Sequence, residues 1–179
     1  ARGFATDEER LKAVRAGTGR PATPEERVRL AWRVCLPQKR FAEAYAMLKA
    51  AFDAVPELAE NLSPCHALLA AFSALEAGAG RGVDPPADPA ARAALRRAGR
   101  ELFATILAEA EELVAINGDP RDVAALLAPW RNDPKFQELR TSGRMGELSP
   151  AEQTEWSELW RRADALPAAP ARPETPVSR

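Results

Sequence analysis

His66 is the only histidine in this 179-residue chain, and that one count removes most of the chemistry imidazoles support. A structural zinc site draws four ligands from cysteine and histidine, and a nucleophile–base–carboxylate triad needs an imidazole beside its hydroxyl or thiol. The two cysteines, Cys35 and Cys65, have no second partner at ligand spacing. Cys65 and His66 are neighbours, but adjacent residues on a helix point about 100° apart and do not face each other. A capped helix start with a partly buried thiol is the expected arrangement. Both cysteines fall on apolar helical faces, where a buried thiol is ordinary and a reducing, cytoplasmic setting follows.

Glu109, Glu111 and Glu112 form a dense carboxylate run, the kind that serves acid/base work or a divalent ion. No calcium-loop spacing is present, and closely spaced carboxylates on a helix ordinarily face water, so a solvated face is expected. Gly78, Gly80 and Gly82 suggest a phosphate cradle. That loop follows a helix rather than a strand and lacks the lysine and hydroxyl of a nucleotide loop. No catalytic residue, cofactor or metal is therefore expected, and the chain reads as a non-enzyme. Arg92, Arg96, Arg97 and Arg100 place three cations on one side of a long helix, as a nucleic-acid or phosphopeptide groove would. No aromatics interleave with them and Glu101, Glu109 and Glu111 follow closely, so a salt-bridged, solvated face is expected. With 25 basic against 26 acidic residues there is no general pull toward nucleic acid or an anionic membrane. No run of about 18 apolar residues exists to span a bilayer.

The elements that carry these residues announce themselves at their starts. An oxygen-bearing cap followed by proline satisfies an orphan amide and spends no needed donor. The pairs are Thr23-Pro24, Ser63-Pro64, Asp88-Pro89, Asp119-Pro120, Asp133-Pro134 and Ser149-Pro150, with Glu26 and Glu152 placed to reciprocate. Between them apolar residues recur at helical spacing: Phe41, Ala44, Leu48, Ala51, Phe52 and Val55 on one stripe, and Leu95, Ala98, Leu102, Ile106 and Leu113 on another. Helices are predicted near 6–16, 24–36, 39–55, 64–77, 89–116, 120–131 and 150–166, with a short turn at 134–140. Gly78 to Asp88 is predicted as an extended surface loop. Trp32, Trp130, Trp156 and Trp160 are expected as core anchors of an alanine-rich bundle. Residues 1–22 read as an N-terminal helix and linker, 23–166 as one all-α helical domain, and 167–179 as a disordered proline-rich tail. The opening Ala1-Arg2-Gly3-Phe4 lacks an initiator methionine and a secretion pattern, and reads as a piece cut from something larger.

Helical hairpins invite comparison with the tetratricopeptide repeat, whose period is about 34 residues. One copy lies over Val28, Ala31, Trp32 and Cys35, then Phe41, Ala44, Leu48 and Ala51, with Pro56 ending it. Trp32 stands where the repeat usually has a small residue. A looser copy follows, with Ser63 to Ala77 as first helix, the Gly/Pro loop as an insertion, and Ala90 to Val114 as an overlong second helix. The order from Glu25 to Leu166 resembles the C-terminal region of large planctomycete-type bacterial proteins, many of them serine/threonine kinases with tetratricopeptide repeats. The resemblance rests on Arg40-Phe41-Ala42-Glu43-Ala44, Pro56-Glu57-Leu58-Ala59-Glu60-Asn61-Leu62, Gly78-Ala79-Gly80-Arg81-Gly82, Ala94-Leu95-Arg96-Arg97-Ala98, Trp130-Arg131-Asn132-Asp133-Pro134 and Leu148-Ser149-Pro150-Ala151-Glu152. Pro64-Cys65-His66 departs from it, standing where that family usually has a basic-aromatic pair.

The resemblance implies a regulatory or scaffolding appendage rather than a kinase, because no kinase motif occurs in the sequence. The expected fold is all-α, antiparallel hairpins of tetratricopeptide-like superhelix with a packed C-terminal helix. The expected partner is a protein or peptide segment, with Arg33, Gln38, Arg40 and Tyr45 as the candidate contacts. The rival expectation is a structural spacer that caps a longer repeat array and has no ligand.

Overall fold

In the computed structural model, which describes residues 2–18, 22–60, 66–132, 134–140 and 147–167, every element is helical. They are α1 (Arg2–Arg15), α2 (Pro24–Leu30), α3 (Phe41–Ala54), α4 (Glu57–Glu60), α5 (His66–Gly78), α6 (Pro89–Ala115), α7 (Pro120–Asn132), α8 (Pro134–Arg140) and α9 (Pro150–Ala165). The described residues contain no strand. The Ser63-Pro64 start, Cys65, Asp133 and residues 168–179 lie outside them.

The cap–proline pairs act as their chemistry dictates. Thr23 Oγ1 accepts from Glu26 N at 3.2 Å and opens α2. Asp88 accepts from the amides of Ala90 and Ala91, each at 3.1 Å, and opens α6. Asp119 accepts from Arg121 N at 2.8 Å and opens α7. At Ser149 the box is reciprocal: the hydroxyl accepts from Glu152 N at 3.3 Å, and Ser149 N donates to the Glu152 carboxylate at 3.0 Å. Glu26 has a different use, because its two carboxylate oxygens meet the guanidinium of Arg10 at 3.1 and 3.0 Å and tie α1 to α2.

The helix predicted over 24–36, with Val28, Ala31, Trp32 and Cys35 at repeat positions, contains a change of pitch. From Ala31 to Cys35 the chain widens into a π-helical turn, with Leu36 N donating to Ala31 O and Arg40 N to Cys35 O, both at 2.9 Å. The extra residue in that turn keeps Ala31, Val34 and Cys35 buried and rotates Trp32 outward. Trp32 is 47% exposed, so the expectation of a core anchor is corrected there. The other three tryptophans are buried as expected. A short helix, α4, follows Pro56 where none was predicted.

The chain divides into two compact units, Ala1–Ile106 and Leu107–Arg179. In the first, α2 and its π-turn pair with α3 as a helical hairpin, and α3 packs most extensively on α5. Helix α5 is apolar apart from His66, Ser73 and Glu76, and it sits buried along most of its length. Its alanines at 67, 70, 71, 74 and 77 permit close neighbours. Glycine does the same at Gly99 on α6, where a Cβ would come within 2.8 Å of Leu75 Cγ and 2.9 Å of Ala71 O.

The Gly/Pro segment after α5 is more than a surface loop. Asp84 reaches back to the start of α3, where its carboxylate accepts from Ala42 N at 3.3 Å and Glu43 N at 2.9 Å. Val83 N donates to Lys39 O at 3.0 Å beside it. Gly82 has φ +91°, and a Cβ there would lie 2.3 Å from Lys39 O, so only glycine permits this approach. Arg40, at the cap position of α3, makes no side-chain cap bond of its own.

The second unit is organised by aromatic side chains. Trp130 of α7 and Trp160 of α9 lie 4.9 Å apart between ring centroids, and Trp156 stacks on Trp160 at 6.1 Å. The Arg140 guanidinium sits 4.6 Å over the Trp160 ring. Arg131 donates to the carbonyls of Ala163 at 2.6 Å, Leu166 at 2.8 Å and Pro167 at 2.6 Å, so it closes the C-terminal end of α9.

Candidate functional site

Residues with chemical potential are largely committed to the fold. His66 is buried, and its Nδ1 lies 2.9 Å from Leu58 O; a carbonyl only accepts, so Nδ1 carries the proton and the ring joins α4 to α5. Burial pushes the Cys35 thiol up to about 12, leaving it an inert core residue. Glu111 accepts two bonds from Arg162 at 2.9 and 2.6 Å, and that contact holds its carboxyl below the usual range. The arginine group on α6 is divided: Arg96 Nη1 donates to Gly78 O at 2.8 Å, Arg92 Nη2 to Ala87 O at 3.2 Å, and Arg97 is exposed. Arg96 and Arg92 thus finish the end of α5 and its following loop. Among the described residues no group of three or more His, Cys, Asp or Glu converges as a metal site would require.

The four contacts read from sequence do not form one patch. Arg33 lies 3.6 Å from Asp7 of α1. Arg40 Nε donates to Gln38 Oε1 at 3.1 Å, and Gln38 Nε2 donates to Glu8 Oε1 at 2.8 Å, a relay that leads to the same helix. Tyr45 belongs elsewhere, in a cleft of about 250 Å³ lined from α3, α5 and α6.

That cleft follows from helical periodicity. Tyr45, Lys49, Phe52 and Asp53 stand at i, i+4, i+7 and i+8 on α3, while Ala98, Glu101, Leu102 and Thr105 stand at i, i+3, i+4 and i+7 on α6. Ala70 of α5 lies at the bottom, and Ala70 and Ala98 are small enough to leave room between larger neighbours. Phe52 and Leu102 pack against the main core of the first unit but are not fully covered. An apolar floor is therefore open to solvent.

The rim is polar and mainly acidic. Lys49 Nζ donates to both Asp53 oxygens, at 2.9 and 2.7 Å, so it is occupied within its own helix. Glu101 is exposed. Burial raises the Tyr45 phenol above its ordinary pKa; Lys49 opposes the rise, and Asp53 and Glu101 add to it. Both carboxylates therefore act on the hydroxyl end of Tyr45.

Of this set the sequence singles out Tyr45 alone as a contact. Phe52, Ala98 and Leu102 read as core because they fall on the buried stripes, and Lys49, Asp53, Glu101, Thr105 and Ala70 carry no motif. The available signal was stripe width, since adding Tyr45 to an α3 stripe that already holds Phe52 makes it wider than one neighbouring helix covers. Comparison with protein-family models, with curated proteins and with solved structures returns no match for this chain.

Proposed function

We propose that this chain is a protein-binding module of tetratricopeptide-like hairpins, serving as a regulatory or scaffolding region of a larger bacterial signalling protein such as a serine/threonine kinase. The observation that carries the reading is the open apolar cleft between α3 and α6, floored by Ala70, Ala98 and Leu102 and rimmed by charged side chains. Its volume of about 250 Å³ falls below the roughly 300–1,000 Å³ typical of small-molecule pockets. One or two side chains of a longer segment fill such a space. Pre-formed helical walls lose little entropy on binding, which favours recognition of a peptide. No helix among the described residues is long and apolar enough to cross a membrane. A reducing cytoplasm suits the buried Cys35 thiol.

The test is selection from a displayed random-peptide library on the full chain, followed by affinity measurement on synthetic hits. A control chain carrying Ala98→Phe has the cleft filled. Peptides that bind the native chain and lose at least about tenfold affinity for the filled one support the reading. Equal enrichment on both chains, or none on either, overturns it.

A further inference from the structure

We propose that the segment seated in this cleft is an amphipathic helix bearing an aliphatic anchor and, one turn away, an arginine that meets Glu101 and the ring of Tyr45. The proposal rests on the protein-binding reading and adds the chemistry of the partner. Three observations lead to it.

The first concerns backbone. An extended peptide gains affinity from an exposed strand edge, and the described residues contain no strand. The walls of the cleft are helices whose own amides and carbonyls are engaged internally. A helix satisfies its backbone by itself and needs only side-chain contacts, so it is the conformation that loses least here.

The second concerns charge. Asp53 and Glu101 stand on opposite walls, and the one cation lining the cleft, Lys49, already holds Asp53. Glu101 remains as a carboxylate acceptor on the α6 rim, where its side chain is exposed. A cationic side chain completes it, and an acidic one is repelled by it.

The third concerns shape. Tyr45, half-buried on the α3 wall, brings an aromatic ring into the same cleft as Glu101, whose charge reaches its phenol. A guanidinium is planar, stacks on aromatic faces and bonds a carboxylate with two donors, so arginine uses both groups at once. The apolar floor takes the aliphatic anchor one helical turn away.

The experiment displays a library of alanine-based helical peptides with one face randomised, selected on the full chain. The expected hits carry Leu, Ile or Met with Arg or Lys three or four positions away. A representative hit is then measured against Glu101→Gln and Glu101→Arg chains, with folding checked by circular dichroism. Rim ion pairs contribute up to about 1 kcal/mol, so E101Q weakens binding about threefold to fivefold and E101R more than about tenfold. A charge-swapped peptide, with glutamate in place of its arginine, recovers affinity for E101R. Hits without a basic residue, or hits that bind E101R as well as native chain, overturn the arginine assignment while leaving cleft binding standing. If no helix is enriched over the Ala98→Phe control, the proposal fails, and the outcome of the unstructured library decides whether the broader reading fails with it.

Discussion

Replacing Asp84 by alanine isolates an interaction that joins residues 41 positions apart in sequence. The carboxylate accepts from two amides at the start of α3, at 3.3 and 2.9 Å, where the local cap residue Arg40 supplies no side-chain acceptor. Loss of an ordinary cap costs about 0.5–2 kcal/mol. Here the acceptor is charged, only partly exposed and bound to two donors, which places the cost near the upper end, at about 2 kcal/mol. For a chain of this size that corresponds to a fall in Tm of about 4–8 °C. The conservative Asp84→Asn keeps one oxygen acceptor and loses the charge, so it costs about half as much. Hydrogen exchange gives the local readout: the Ala42 and Glu43 amides exchange about 30-fold faster in D84A, the equivalent of about 2 kcal/mol. If D84A melts within about 1 °C of the native chain and those amides keep their protection, the long-range cap contributes nothing and the reasoning is wrong.

Arg131→Met removes three charge-assisted bonds from the end of α9 and is expected to cost about 3 kcal/mol in urea unfolding followed by tryptophan fluorescence, since Trp130, Trp156 and Trp160 report on the same unit. Unchanged stability would show that solvent caps those carbonyls equally well. Cys35, with its thiol pushed up to about 12, has about one thiolate in ten thousand at pH 8, so peptide-resolved alkylation should leave it unlabelled until the chain is denatured. Rapid native labelling would contradict its burial. The lowered Glu111 carboxyl gives a stabilisation that is present above its unfolded pKa and lost as pH falls through the lower folded value. The native chain should therefore exceed Glu111→Gln by less than about 1 kcal/mol at pH 7, and the difference should shrink steadily as paired denaturation curves are taken to pH values below the ordinary carboxylate range.

Helix starts were the most legible part of this fold, because cap and proline act within three or four residues and need no tertiary information. Thr23, Asp88, Asp119 and Ser149 each bond as their types require. Interactions set by distance in space were not legible. Asp84 sits in a Gly/Pro run that reads as loop, and nothing local shows that it caps another helix. The π-turn at Ala31–Cys35 is not legible because the segment is too short for its shifted phase to register as a break, and a regular α-helix through it puts Trp32 on the buried side. Glu26 was placed correctly for a reciprocal cap but is held by Arg10, a choice that depends on where α1 lies. The cleft was half legible. Tyr45 was singled out as an accessible aromatic, whereas Phe52 and Leu102 looked like core because periodicity reports a face and not how completely that face is covered.

The central claim is that the cleft between α3 and α6 is where a partner segment seats, and amide and methyl NMR titration of a selected peptide into the isotopically labelled full chain tests it most directly. Binding there predicts saturable shifts concentrated on Tyr45, Phe52, Ala70, Ala98, Leu102 and Thr105, the lining of the cleft. Shifts confined to the Arg33, Gln38 and Arg40 region, or scattered over the surface without saturation, would contradict it.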